Sequence, residues 1–145
     1  MESSDRSALV FHGIVVIFLG LLAGFPFAFV VTGDLAGDVR AWRMAHLEGV
    51  LNGMLMIAVA AAGGSLSLAR SRSRWVFRSL CVAGYGNVVA STLGATFGVR
   101  GLTPAGPIAN LVTYALFMLA IAGVVAGLGL AAQGALRARR GAPTV

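Results

Sequence analysis

The chain has 145 residues, 58% hydrophobic and only 11% charged, with a mean hydropathy of +0.88. So little charge argues against a soluble domain of this size and for a helical bundle bathed in lipid. The formal charge of +6 comes from eleven arginines and no lysine, set between long apolar segments rather than along one face, which points to topology rather than to a nucleic-acid partner.

The stretch Met1 to Ser7 is polar and lacks the basic start and small-residue cleavage site of a secretory signal. A first apolar segment follows over about 8–31, long enough to cross a bilayer of roughly 30 Å at about 1.5 Å per residue, with Pro26 expected to kink it. Residues Gly33 to Arg43 read as a polar connection. Further spans are predicted over about 45–69, 75–97 and 107–132, with a tight basic connector around Arg70, Arg72 and Arg74 and a basic tail from Gln133. Pro107 suits the first turn of the last helix, where its missing N–H is not needed. Lone Cys81 excludes an intrachain disulfide, and twenty glycines suit close helix packing in a membrane.

This pattern predicts an all-α, four-transmembrane-helix bundle forming one integral membrane domain over 1–145. Four spans bring both termini to one side. Eight arginines then share the terminal side and only Arg40, Arg43 and Arg100 the other, so both termini are predicted to be cytoplasmic, in a bacterial-type inner membrane.

The second span carries the chemistry. Arg40 to Ile57 takes three charged residues, a histidine and an asparagine into an apolar run, and such residues are costly in hydrocarbon. At about 100° per residue, His46, Gly49, Val50, Gly53 and Ile57 share one stripe. Gly49 and Gly53 form GxxxG beneath the histidine, a flat strip open to a neighbouring helix or to a planar macrocycle. Arg43 and Arg40 lie about one and two turns before His46, within reach of anionic carboxylates such as haem propionates. These features make His46 a candidate axial ligand to haem iron. The competing reading is a hydrogen-bonded structural histidine on a packing helix.

Asn52 is six residues on and points about 120° away, sharing a stripe with Glu48 and Met56. It is either interhelical glue or, in an oligomeric ring, a group facing the substrate beside a neighbouring subunit's haem. The other histidine, His12, is expected more than about 20 Å from His46 along the membrane normal, too far to share one iron. Met44, Met54, Met56 and Met118 remain sixth-ligand candidates, with an open sixth position preferred. Tyr85, Asn87, Ser91 and Tyr114 are candidates for lining a mostly apolar pocket. Paired carboxylates, CxxC, a nucleophile elbow and a phosphate loop are all lacking.

HGIVVIF in the first span, RAWRMAHLEGVLNGMLMIAVA in the second, and Asn87 followed by Arg100-Gly-Leu-Thr keep an order that resembles the styrene oxide isomerase family of small membrane proteins. The resemblance covers most of the chain from His12 to Thr103 and implies a homotrimer of four-helix subunits holding haem b near the subunit interface. By it, His46 matches the proximal iron ligand and Asn52 the substrate-side asparagine. The implied reaction is a Meinwald rearrangement, in which ferric haem acts as Lewis acid on a small hydrophobic epoxide and a carbonyl compound results. The chain departs from the family where a tyrosine and an aspartate are replaced by Ser91 and Ala83, so the haem site is better supported than styrene oxide as substrate. A non-catalytic or ligand-sensing haem protein, and a cofactor-free membrane assembly subunit, are the alternative readings.

Overall fold

The computed structural model describes residues 1–141 and consists, over these, of four long helices: α1 (Ser3–Thr32), α2 (Val39–Ala62), α3 (Arg70–Phe97) and α4 (Ile108–Gly141), with a short 3-10 turn at Gly63–Ser65. All four are long and apolar enough to cross a membrane. Their packing is inverted relative to a water-soluble bundle. Phe11, Phe18 and Phe25, seven residues apart on α1, are each 62% exposed, whereas the interior is rich in alanine and glycine. Lipid removes the incentive to bury large apolar groups, so small residues that let backbones approach occupy the seams.

Helix ends explain where the predicted bounds shift. The Asp38 side chain accepts from the backbone N–H of Arg40 at 2.7 Å and of Ala41 at 3.3 Å, so α2 starts at Val39 rather than Ala45. Arg40 and Arg43 are therefore helical, not part of a connecting loop. Two consecutive glycines, Gly63 and Gly64, end α2 before the predicted Ala69. The basic stretch Arg70–Arg74 forms the first turns of α3, because arginine is a good helix former even where the chain has left hydrocarbon. For the same reason α4 continues past Ala132 through Arg137, Arg139 and Arg140. Hydropathy marks the membrane-crossing part of a helix, not its ends. Pro107 lies just outside α4, its carbonyl accepting from Asn110 and Leu111, and α1 runs unbroken through Pro26. Gly33 (φ 84°) and Gly98 (φ 64°) close α1 and α3 in the left-handed conformation that glycine adopts without strain.

Helices α1, α2 and α3 form a triangle, and α4 rests mainly on the far side of α3. One core cluster, Leu9, Val16, Met56, Ala60, Val76 and Leu80, sits where α1, α2 and α3 meet. A second, Ala23, Val30, Trp42, Ala45 and Ala95, supports the opposite end. The Met1 ammonium donates to the carbonyls of Gly63 and Leu66, and the Ser67 N–H donates to Gly134 O. The N-terminus, the α2–α3 connection and the end of α4 thus share one end of the bundle. Arg40, Arg43 and Arg100 lie together at the other, as the arginine count requires.

Candidate functional site

His46 is half-buried on the second turn of α2 and turned toward α1. Its Nδ1 lies 2.9 Å from Gly20 O. A carbonyl oxygen only accepts, so Nδ1 carries the proton and Nε2 keeps its lone pair. The Phe27 ring stacks on the imidazole with a centroid separation of 6.3 Å and an interplanar angle of 12°. Gly24 faces the ring so closely that a Cβ there would lie 3.1 Å from Nδ1. The α1 backbone therefore fixes both the tautomer and the plane of the imidazole, which is how a protein prepares a metal-ligating histidine.

The glycine strip beneath His46 is filled by α1. A Cβ at Gly20 would sit 2.8 Å from Gly49 Cα, and one at Gly53 would collide with the backbone of Gly13 and Ile17. Gly49 and Gly53 are thus helix-packing residues within the subunit, and the expectation that a macrocycle lies on them is corrected. Their contribution to His46 is indirect: the close crossing brings Gly20 O within hydrogen-bond reach.

Asn52, buried at 8% exposure, faces α3 instead. Its Nδ2 donates to the Glu48 backbone O at 2.8 Å and to Glu48 Oε2 at 2.7 Å, and its Oδ1 accepts from Asn87 Nδ2 at 3.1 Å. His46 and Asn52 accordingly serve different seams of one helix, as their 120° offset requires. Sequence reasoning put Glu48 on the Asn52 stripe without assigning it a role; the four-residue spacing was the available signal.

Because α4 leaves α2 uncovered, an open groove of about 730 Å³ lies between α2 and α4 with α3 as its floor. Arg40, Arg43 and Met44 line one wall, Ser91 and Ala95 the floor, and Arg100 and Phe117 the far side. The three arginines of this end thus meet at one mouth. Ser91 Oγ is buried without a hydrogen-bond partner among the described residues. The α3–α4 loop is held by Asn110, which accepts from Gly101 N–H and donates to the carbonyls of Thr103 and Ala105.

One pocket candidate is corrected. Tyr85 turns to α1, where its hydroxyl bonds His12 Nδ1 at 2.9 Å and its ring packs against the first core cluster. Tyr114 is half-buried beside Gly101, one turn before the groove residue Phe117. His12 is also nearer to His46 than expected. His46 meets α1 at Gly20 and Gly24, eight to twelve residues beyond His12, a rise of roughly 12–18 Å. That still prevents the two from sharing one iron. Met56 is 1% exposed inside the first cluster, whereas Met44, Met54 and Met118 are exposed.

Among the described residues no three His, Cys, Asp or Glu side chains converge. The donor set at His46 is thus a single oriented imidazole, which fits a macrocycle that brings its own equatorial ligands better than a bare ion.

The family model for styrene oxide isomerase matches residues 5–136. The chain belongs to the styrene oxide isomerase family. Within the curated relatives, styrene-oxide isomerase from Pseudomonas fluorescens is 27% identical over 154 residues, covering 91% of this chain and 90% of that protein. Hydroxylaminobenzene mutase HabB from Ectopseudomonas oleovorans is 33% identical over 89 residues, 61% of this chain. The chain spans about half of that relative's length, 51%. An isomerase-type function and a multi-pass membrane protein follow from the family and the four apolar helices. Both relatives' names describe rearrangements rather than transfers, and the site described above lies within the matched residues.

Proposed function

We propose that this styrene oxide isomerase family member is a haem-dependent isomerase that converts a small hydrophobic epoxide into a carbonyl compound with no net redox change. The observation that carries this reading is the His46–Gly20 hydrogen bond, because it leaves Nε2 as an oriented lone pair on a membrane-spanning helix. His46 would hold haem b, and Arg40 and Arg43, helical and turned to an open groove, would pair with its propionates. Ferric haem, when bound, supplies a Lewis acid for the oxygen of the substrate. The chain's own residues orient that substrate. Met44, Ala95, Leu102 and Phe117 give the groove apolar surface beneath its arginine mouth to receive such a substrate, and the Asn52–Asn87 pair offers amide dipoles on the α2–α3 seam.

His46 faces α1 and Asn52 faces α3, so one subunit does not turn both into a common space. A homotrimer, in which each copy contributes its histidine to one site and its asparagine to the next, resolves this. Both termini are assigned to the cytoplasmic side of an inner membrane by the eight-to-three arginine bias.

The test is an absorption spectrum of detergent-purified protein, followed by incubation with a panel of epoxides and detection of isomeric aldehydes or ketones. A Soret band with turnover that disappears in His46→Ala supports the reading. A Soret band without turnover on the panel supports the non-catalytic alternative. Absence of the band after haem supplementation supports a cofactor-free assembly role. A second substrate class, an aryl hydroxylamine rearranged to an aminophenol, is favoured by the 33% identity to a hydroxylaminobenzene mutase and belongs on the same panel.

A further inference from the structure

Asn52 has two amide hydrogens, and Glu48 takes both. One goes to the Glu48 backbone carbonyl at 2.8 Å and the other to its carboxylate at 2.7 Å. The backbone carbonyl cannot donate, so the atom facing it is the nitrogen whatever the protonation state of Glu48. The orientation of the Asn52 amide is thereby settled, with Oδ1 turned to α3. There it accepts from Asn87 Nδ2 at 3.1 Å, which in turn settles the orientation of Asn87. Asn52 therefore has no N–H left for a substrate. Asn87 has one, and its Oδ1 is also without a partner among the described residues. Asn87 is half-buried near the middle of α3, where spare amide atoms are expensive in hydrocarbon unless a second molecule meets them. It lies one turn from Ser91, the groove-floor residue whose hydroxyl is also unpartnered.

We propose that Asn87 is the catalytic donor that hydrogen-bonds the oxygen of the substrate, with Asn52 and Glu48 as the positioning residues that aim it. The proposal rests on the isomerase reading only in requiring a substrate that bears an oxygen. An epoxide and an aryl hydroxylamine share this feature, and both gather negative charge on that oxygen as its C–O or N–O bond breaks. Asn87 transfers no proton; it stabilises the charge through its free N–H. Glu48 acts as an acceptor, not as an acid. Its carboxylate occupies the second Asn52 hydrogen and stops the amide from rotating away from Asn87.

Two measurements on the haem-loaded protein test this. In the first, turnover of styrene oxide and of phenylhydroxylamine is compared for wild type, Asn87→Ala, Asn87→Asp, Glu48→Gln and Glu48→Ala, each checked for wild-type thermal unfolding. Asn87→Ala and Asn87→Asp are expected to lose about a hundredfold in kcat, the usual cost of one donor to a developing oxyanion. Glu48→Gln keeps an acceptor oxygen and is expected to stay within about threefold of wild type, whereas Glu48→Ala falls about tenfold in kcat at unchanged KM. Loss of activity in Glu48→Gln equal to that in Glu48→Ala would make Glu48 an acid and overturn the positioning role. Wild-type turnover in both Asn87 variants would overturn the donor role.

The second measurement is the infrared carbonyl stretch of acetophenone, an unreactive aryl ketone, bound to the protein. A shift to lower frequency that vanishes in Asn87→Ala supports the donor, and an unchanged shift overturns it. This arm needs no turnover, so an error in the proposed reaction shows in the first measurement and an error in the proposed donor shows in both.

Discussion

His46 Nδ1 and the carbonyl oxygen of Gly20 lie 2.9 Å apart, joining an imidazole on α2 to the backbone of the neighbouring helix α1. An α-helical carbonyl ordinarily accepts from the N–H four residues on. Here Gly20 O also accepts from a side chain, which the absence of a Cβ at Gly20 and Gly24 makes sterically possible. The result is an imidazole of defined tautomer held against α1 by a hydrogen bond and stacked on Phe27.

His46→Ala should abolish the Soret band of the purified protein while leaving its helical circular dichroism intact. Adding imidazole to the variant together with haem should restore part of the band, because the exogenous ring fills the space that the deletion creates. Persistence of a wild-type spectrum in His46→Ala would remove His46 as the ligand.

Gly24→Ala introduces a Cβ 3.1 Å from His46 Nδ1, tighter than the ring tolerates without shifting. The expected outcome is weaker haem retention during dilution, with a loss of about 1–3 kcal/mol of stability from overpacking. Gly20→Ala is the harsher change, because the new methyl meets the backbone of Gly49 rather than a movable side chain. Haem titration and thermal melts of the two variants should therefore rank wild type above Gly24→Ala above Gly20→Ala.

Asp38→Ala removes the side chain that accepts from Arg40 and Ala41 N–H at the start of α2. Loss of an N-cap costs about 1 kcal/mol. Thermal unfolding should register that loss, and the frayed first turn should also lower haem affinity through Arg40. An unchanged melt would show that the exposed end of α2 is held by its surroundings instead.

Ser91→Ala deletes a buried hydroxyl that has no partner among the described residues. An unsatisfied buried polar group costs about 1–3 kcal/mol, so the ligand-free variant should melt higher than wild type by a degree or more. If the hydroxyl serves a bound molecule, the gain should shrink or reverse when substrate is present. Melts with and without an unreactive aryl ketone measure the difference.

Arg40→Gln and Arg43→Gln should each weaken reconstitution with haem b, and the double variant should weaken it further. Both arginines line the mouth of the same groove with Arg100, so they contribute to one field. Titration of haem into the apoprotein, repeated at raised salt, checks this: an electrostatic contribution from exposed arginines falls as salt rises.

Hydropathy was enough to reveal four helical spans, because bilayer thickness acts on the local chain. His46, Asn52 and their different faces were also legible, since the 100° step of a helix is independent of its neighbours. The partners of those faces were not. Each helix is apolar almost all round, so no polar side announces which stripe meets protein and which meets lipid. That is why Gly49 and Gly53 suited a macrocycle as well as an unnamed neighbouring helix, and why Tyr85 looked like a pocket residue before its bond to His12 was visible. The Glu48–Asn52–Asn87 chain depends on how α2 and α3 are rotated against each other, a matter of van der Waals fit between small residues far apart in sequence. The same fit gives His46 its carbonyl partner. The linear order of residues named the groups able to do chemistry; helix packing assigned each hydrogen and lone pair to its neighbour.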